Sequence, residues 1–131
     1  RTTVQLAEFL SQHSTVESVY HPTLSHHGTH ELATKLYPNG TGGIVSFAFP
    51  EGGKARVTAF MQAAASIPFS ATLADARTTI SHPATTSHGF MTKQERADIG
   101  ITDELVRISV GLEPFAQLRN ELDAALNSTG D

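Results

Sequence analysis

The sequence predicts a small two-layer α/β domain, a mostly antiparallel sheet carrying helices on one face. Three observations predict it. Segments with apolar residues at helical spacing alternate with short segments in which apolar residues recur every second position. A chain of 131 residues can bury one core, and 39 % hydrophobic with 17 % charged residues is the balance of an ordinary globule. No internal repeat and no long linker divides the chain, so residues 1–131 read as one domain.

The elements follow in order. Val4, Leu6, Phe9 and Leu10 place an opening helix over roughly residues 2–13. Val16 to Tyr20 reads as a short strand closed by His21-Pro22. A second helix begins near Gly28-Thr29 and stops before Pro38-Asn39-Gly40, whose residues favour turns. Ile44 to Phe49 is the clearest strand, with Val45, Phe47 and Phe49 on one face. Val57, Phe60, Met61 and Ala64 form one stripe of a third helix starting near Lys54. Ile67 to Leu73 and Thr78 to Ser81 are extended, and Pro68 makes the first irregular or an edge. Thr92 and Glu95 have capping-box spacing and open a short helix ending at Gly100. A strand at Leu105 and beyond precedes a last helix, with Pro114 in its first turn and Phe115, Leu118, Leu122, Ala125 and Leu126 buried. The tail from Asn127 to Asp131 is expected to fray.

Composition narrows the function. A net charge of −4 offers no basic patch for nucleic acid. Without cysteine there is no disulfide, which is compatible with the cytosol, and no run is apolar enough for a membrane span or signal peptide. Seven histidines invite a metal reading, but His26, His27 and His30 enclose a glycine and lack the glutamate of a zinc helix, so they read as a polar loop. His82 and His88 read as partners of backbone groups around Pro83. The Asn39-Gly40-Thr41 and Asn127-Ser128-Thr129 triplets match a glycosylation pattern that is common by chance. Gly40, Gly42 and Gly43 do not open a helix and read as a plain loop, and Asp75 and Arg77 are neighbours able to pair.

The most informative stretch is LVRISVGLE, Leu105 to Glu113, which sets one arginine in an apolar strand. Alternation puts Val106, Ile108 and Val110 on a core face and Leu105, Arg107 and Ser109 on the other. A guanidinium so placed needs a partner, and its planar fork suits a carboxylate. That partner is either an Asp or Glu of this chain or a ligand.

LVRISVGLE, preceded by SHPATTSHG (residues 81–89) and ERADIGI (95–101), resembles the C-terminal end of the Cys/Met-metabolism enzymes that use pyridoxal phosphate. The likeness runs back through TLADARTTI (72–80), the VSFAF strand and VYHPTLSHHGTHELA (19–33) to the first helix, nearly the whole chain. It implies the C-terminal domain of an aspartate-aminotransferase-like fold, packed in the family against a cofactor domain with part of its uncovered sheet face near the active-site cleft. The expected full enzyme is a cytoplasmic homotetramer acting on a small amino acid. This chain, which begins with Arg rather than Met, reads as a domain cut from it, with the cofactor-binding domain absent.

Chemistry with pyridoxal phosphate requires a Schiff-base lysine and an acidic partner for the pyridine nitrogen. Lys35, Lys54 and Lys93 lie in solvated segments outside the family's serine- and threonine-flanked lysine motif. The cofactor is therefore expected on the missing domain, with no catalytic, cofactor-binding or metal-binding residue in this chain and an inactive isolated fragment. The resemblance puts Arg107 at the arginine that grips the substrate α-carboxylate, Thr72 where the family usually has serine, and Ser87 where it often has threonine. Holding the carboxylate selects which bond at Cα breaks. Family members that make or cleave cystathionine typically carry Glu just before the Thr72 position, where this chain has Ala71. That favours an O-acetyl- or O-succinylhomoserine sulfhydrylase, with cystathionine γ-synthase, cystathionine γ-lyase and methionine γ-lyase as alternatives. Ala74 stands where glycine is usual, which bears on the path of that loop. A reading of another class is a non-catalytic anion-binding or oligomerisation module, and the sequence preceding Arg1 discriminates the two.

Overall fold

In the computed structural model, which describes residues 1–129, the period-two segments become four strands paired antiparallel throughout. β1 (Ser18–Tyr20), β2 (Ile44–Ala48), β3 (Thr79–Ser81) and β4 (Leu105–Ser109) lie in the order β1-β2-β4-β3. The helices are α1 (Thr2–Gln12), α2 (His30–Leu36), α3 (Gly53–Ala63), α4 (Lys93–Asp98) and α5 (Phe115–Asn127), with a 3-10 turn at Pro83–Thr85. This is the small α/β domain with an antiparallel sheet that the apolar pattern predicts.

Register decides which residues share a face. Val19, Phe47 and Val106 are cross-strand neighbours, as are Val45, Ile108 and Ile80, and all six are buried. α1, α3 and α5 cover that face. Phe47, Phe49 and Phe60 meet edge to face at 5.4 to 5.7 Å, joining β2 and its exit to α3, while Leu6, Leu10, Leu118, Leu122 and Leu126 close the core from α1 and α5. Each fully buried large apolar side chain contributes about 1.5–3 kcal/mol, so this face dominates the stability. The opposite rows read Tyr20, Ser46, Arg107, Ser81 and Ile44, Ser109, Thr79.

Element ends depart from the sequence expectation for local reasons. β1 starts at Ser18 because Val16 donates its N–H to the His13 carbonyl in a turn that His13 Nδ1 also holds through Thr15. Ile67 to Leu73 forms only an isolated parallel bridge, Phe69 to Ile80, in keeping with Pro68. Pro114 is the residue before α5, with extended ψ, instead of lying in its first turn. The capping box at α4 forms in full, Thr92 Oγ1 accepting from Glu95 N and the Glu95 carboxylate from Thr92 N. α5 continues through Asn127, and the Ser128 and Thr129 hydroxyls donate to the Ala125 and Leu126 carbonyls. The rest of the tail expected to fray, Gly130 and Asp131, lies outside the described residues. No helix among them is long and apolar enough to cross a membrane.

Candidate functional site

β4 carries Arg107 on the face turned from the helices, with Ser46 of β2 and Ser81 of β3 as its cross-strand neighbours. Arg107 as a whole is half-buried. Its Nη2 donates to the carbonyls of Ala71 and Thr72, at 3.3 and 3.2 Å. Among the described residues no carboxylate lies within 4.0 Å of it, and its buried Nε has no hydrogen-bond partner. An internal acidic partner for Arg107, one of the two possibilities its sequence left open, is thus not found among the described residues.

The far face is not open along its whole length. Leu105 and Ser109 are also buried, and at Ser109 the cover includes the 70–78 loop. Ala74 N donates to Ser109 Oγ at 3.3 Å. Ala74 adopts φ of 57°, the left-handed conformation a glycine takes without penalty; the side chain costs about 1–2 kcal/mol there. The Asp75 carboxylate accepts from Arg77 N, so this pair is a local turn and not an ion pair between side chains.

Of the three residues singled out as substrate-binding, two meet. Thr72 touches Arg107 through its carbonyl, while its hydroxyl bonds Ser70 Oγ at 3.1 Å. Ser87 lies exposed in the turn after the 3-10 segment, its Oγ 2.8 Å from His88 Nδ1, with no hydrogen bond to Arg107. His82 is buried, its Nε2 donating to the Asp103 carbonyl at 2.7 Å and its Nδ1 2.9 Å from Thr85 Oγ1, which assigns it a backbone-holding role. His27 accepts from Thr29 N, and His30 Nδ1 lies 2.8 Å from the Pro22 carbonyl.

Glu113 and Gly111 carry no role that the sequence alone shows. The Glu113 carboxylate accepts from Thr78 N and Thr78 Oγ1, both at 2.7 Å. Burial pushes its carboxyl upward, but the Thr78 hydrogen bonds and the charge of Arg77 prevail and hold it below the ordinary carboxylate range. A Cβ on Gly111 would stand 2.4 Å from the Ala76 carbonyl oxygen, so only glycine lets the strand exit approach the loop this closely. The spacing 107, 109, 111, 113 was the available signal.

Over residues 1–127 the chain matches the family described as Cys/Met metabolism PLP-dependent enzymes. The chain belongs to that family. It is 40 % identical over 121 residues to the O-succinylhomoserine sulfhydrylase of Pseudomonas aeruginosa, covering 92 % of this chain and 30 % of that protein. It is 36 % identical over 124 residues to the cystathionine gamma-lyase of Bacillus subtilis, covering 95 % of this chain and 32 % of that one. The crystal structure of cystathionine gamma synthase from Xanthomonas oryzae pv. oryzae, in complex with aminoacrylate and cysteine, superposes with a TM-score of 0.89 at 36 % identity, over 98 % of this chain and 33 % of that one. The chain thus spans about a third of the length of the relatives it matches.

Family membership implies a pyridoxal phosphate bound elsewhere in the full-length protein. The lysines of this chain do not fit its anchor. Lys35, Lys54 and Lys93 are exposed on α2, α3 and α4, and the Lys93 ammonium lies 3.4 Å from the Asp103 carboxylate.

Proposed function

We propose that residues 1–131 form the substrate-carboxylate-binding domain of a pyridoxal-phosphate enzyme of sulfur amino-acid metabolism, of the O-acylhomoserine sulfhydrylase type. One observation carries the reading. Arg107 is fixed in a strand by two backbone carbonyls, lacks a carboxylate among the described residues, and keeps a buried Nε donor without a partner. Among the described residues Nη1 makes no hydrogen bond, which leaves the fork a free end for the charge-assisted contact that suits a ligand carboxylate. Thr72 belongs to this site through the carbonyl that orients the guanidinium. Ser87 is assigned to it by the family resemblance alone, its hydroxyl being bonded to His88 Nδ1.

When bound, the cofactor supplies an electron sink for the substrate's Cα. The share of this chain is orientation: the α-carboxylate is pinned at Arg107, so the bond to be broken is held in the reactive direction. The reaction replaces the γ-carbon's C–O bond with a C–S bond from sulfide, the acyl group leaving as its carboxylate. The sulfhydrylase assignment draws on Ala71, which offers no carboxylate to a long, doubly charged amino acid, and on the 40 % identity to the Pseudomonas enzyme. Incubating the full-length protein with O-acetyl- or O-succinylhomoserine and sulfide tests it. Homocysteine formation faster than cystathionine formation from cysteine or cleavage of methionine is expected; a preference for either of those reactions overturns the assignment.

A further inference from the structure

The exit of β4 is laced to the 70–78 loop at every second residue. Arg107 holds the Ala71 and Thr72 carbonyls, Ser109 Oγ accepts from Ala74 N, Gly111 N donates to Thr78 Oγ1 at 2.9 Å, and Glu113 takes Thr78 N and Oγ1 with its two carboxylate oxygens. The Leu112 N–H adds a bond to the Ala76 carbonyl. Thr78 is fully buried, and its hydroxyl accepts from Gly111 while its one donor is committed to Glu113. Thr78 N points at Glu113 before β3 begins at Thr79, so without the carboxylate a buried amide is stranded.

We propose that Glu113 is a positioning residue, fixing through Thr78 the loop whose Ala71 and Thr72 carbonyls aim the Arg107 guanidinium at its carboxylate ligand. This rests on the reading of Arg107 given above. The chemistry suits the task. Each carboxylate oxygen accepts one hydrogen bond from Thr78, whereas an amide of the same shape would turn an NH2 donor toward one of those two donors, and charge-assisted bonds at 2.7 Å are the short, strong kind. Gly111 admits the close approach that makes them possible. At the other end of the loop, Arg107's own bonds of 3.2 and 3.3 Å are longer, so the guanidinium depends on where the loop is held. Displacing it by about an ångström costs on the order of a hundredfold in an oriented reaction.

The test uses the full-length protein with E113A, E113Q and T78V, beside R107K. Deuterium exchange over residues 70–79 should accelerate in the three clamp variants, while cofactor absorbance is unchanged and KM for the amino-acid substrate rises by about 10- to 100-fold. E113D, which keeps both oxygens, should restore part of the loss. Unchanged exchange in E113A, or faster exchange with unaltered KM, overturns the proposal. E113Q keeps the shape of the side chain and decides the matter should E113A not fold. If R107K leaves carboxylate binding intact, the reading of Arg107 fails; if R107K abolishes binding while E113Q does not weaken it, the positioning role alone fails.

Discussion

Replacing Arg107 by lysine or alanine separates a ligand-binding arginine from a structural one. The structure gives Arg107 two long bonds to neutral carbonyls on a half-exposed group and no carboxylate among the described residues. Each such bond is worth about 0.5–1.5 kcal/mol net, so Arg107→Ala should lower stability by about 1–3 kcal/mol, and Arg107→Lys by less. A buried internal ion pair would instead lose about 3–5 kcal/mol through its stranded partner. On the functional side, removing the fork from a desolvated carboxylate costs about 2–5 kcal/mol, and a middle value of about 3 corresponds to a loss in kcat/KM on the order of a hundredfold. Lysine keeps the charge but not the bidentate geometry, so it should not rescue the rate. Thermal unfolding and steady-state kinetics on the same full-length variants provide the assay. A large loss of stability with near-normal kcat/KM in the folded enzyme refutes the reasoning.

In the full-length enzyme, Ala71→Glu should shift preference toward cystathionine chemistry, read as the ratio of kcat/KM values; wild-type protein already preferring cystathionine defeats the inference. The isolated chain incubated with pyridoxal phosphate should show no protein-bound visible absorbance that borohydride fixes on Lys35, Lys54 or Lys93, as peptide mapping would reveal. Phe47→Ala removes a side chain with no exposure that packs on Phe49 and Phe60 and should cost about 3–5 kcal/mol in denaturant unfolding. Burial raises the Asp103 and Glu113 carboxyls, but hydrogen bonds from Arg96 and Lys93 to the first and from Thr78 to the second leave both below their ordinary values. Groups with depressed folded-state values stabilise above the unfolded value, near 4, and lose that contribution as pH falls through the folded value. Unfolding temperature should therefore fall through that acid range, and D103N/E113Q should flatten the fall.

The sheet and its covering helices were legible in the sequence because they rest on apolar periodicity, which packing obeys locally. Val45 and Phe47, Val106 and Ile108, and the stripe of α5 are core as the spacing says. The α4 capping box, a four-residue motif, was legible for the same reason. Arg107 stood out as a charge in an apolar strand. What escaped depends on where a loop returns. Nothing local to Glu113 shows that Thr78, 35 positions away, will present both a buried amide and a hydroxyl to it. The resemblance points to the hydroxyl of Thr72, yet its carbonyl makes the contact, and carbonyls carry no sequence signature. Ser87 turns to its neighbour His88, a one-residue contact that competes with any longer reach.

The central claim, that Arg107 receives the substrate α-carboxylate, is tested most directly by calorimetric titration of the full-length protein with an unreactive straight-chain amino acid and with its carboxamide. Wild-type protein should bind the acid on the order of a hundredfold more tightly than the amide, for a charge-assisted bidentate contact worth about 3 kcal/mol, and Arg107→Lys should remove most of that difference. Equal binding of acid and amide by the wild-type protein, or a preference for the acid that survives Arg107→Ala, contradicts it.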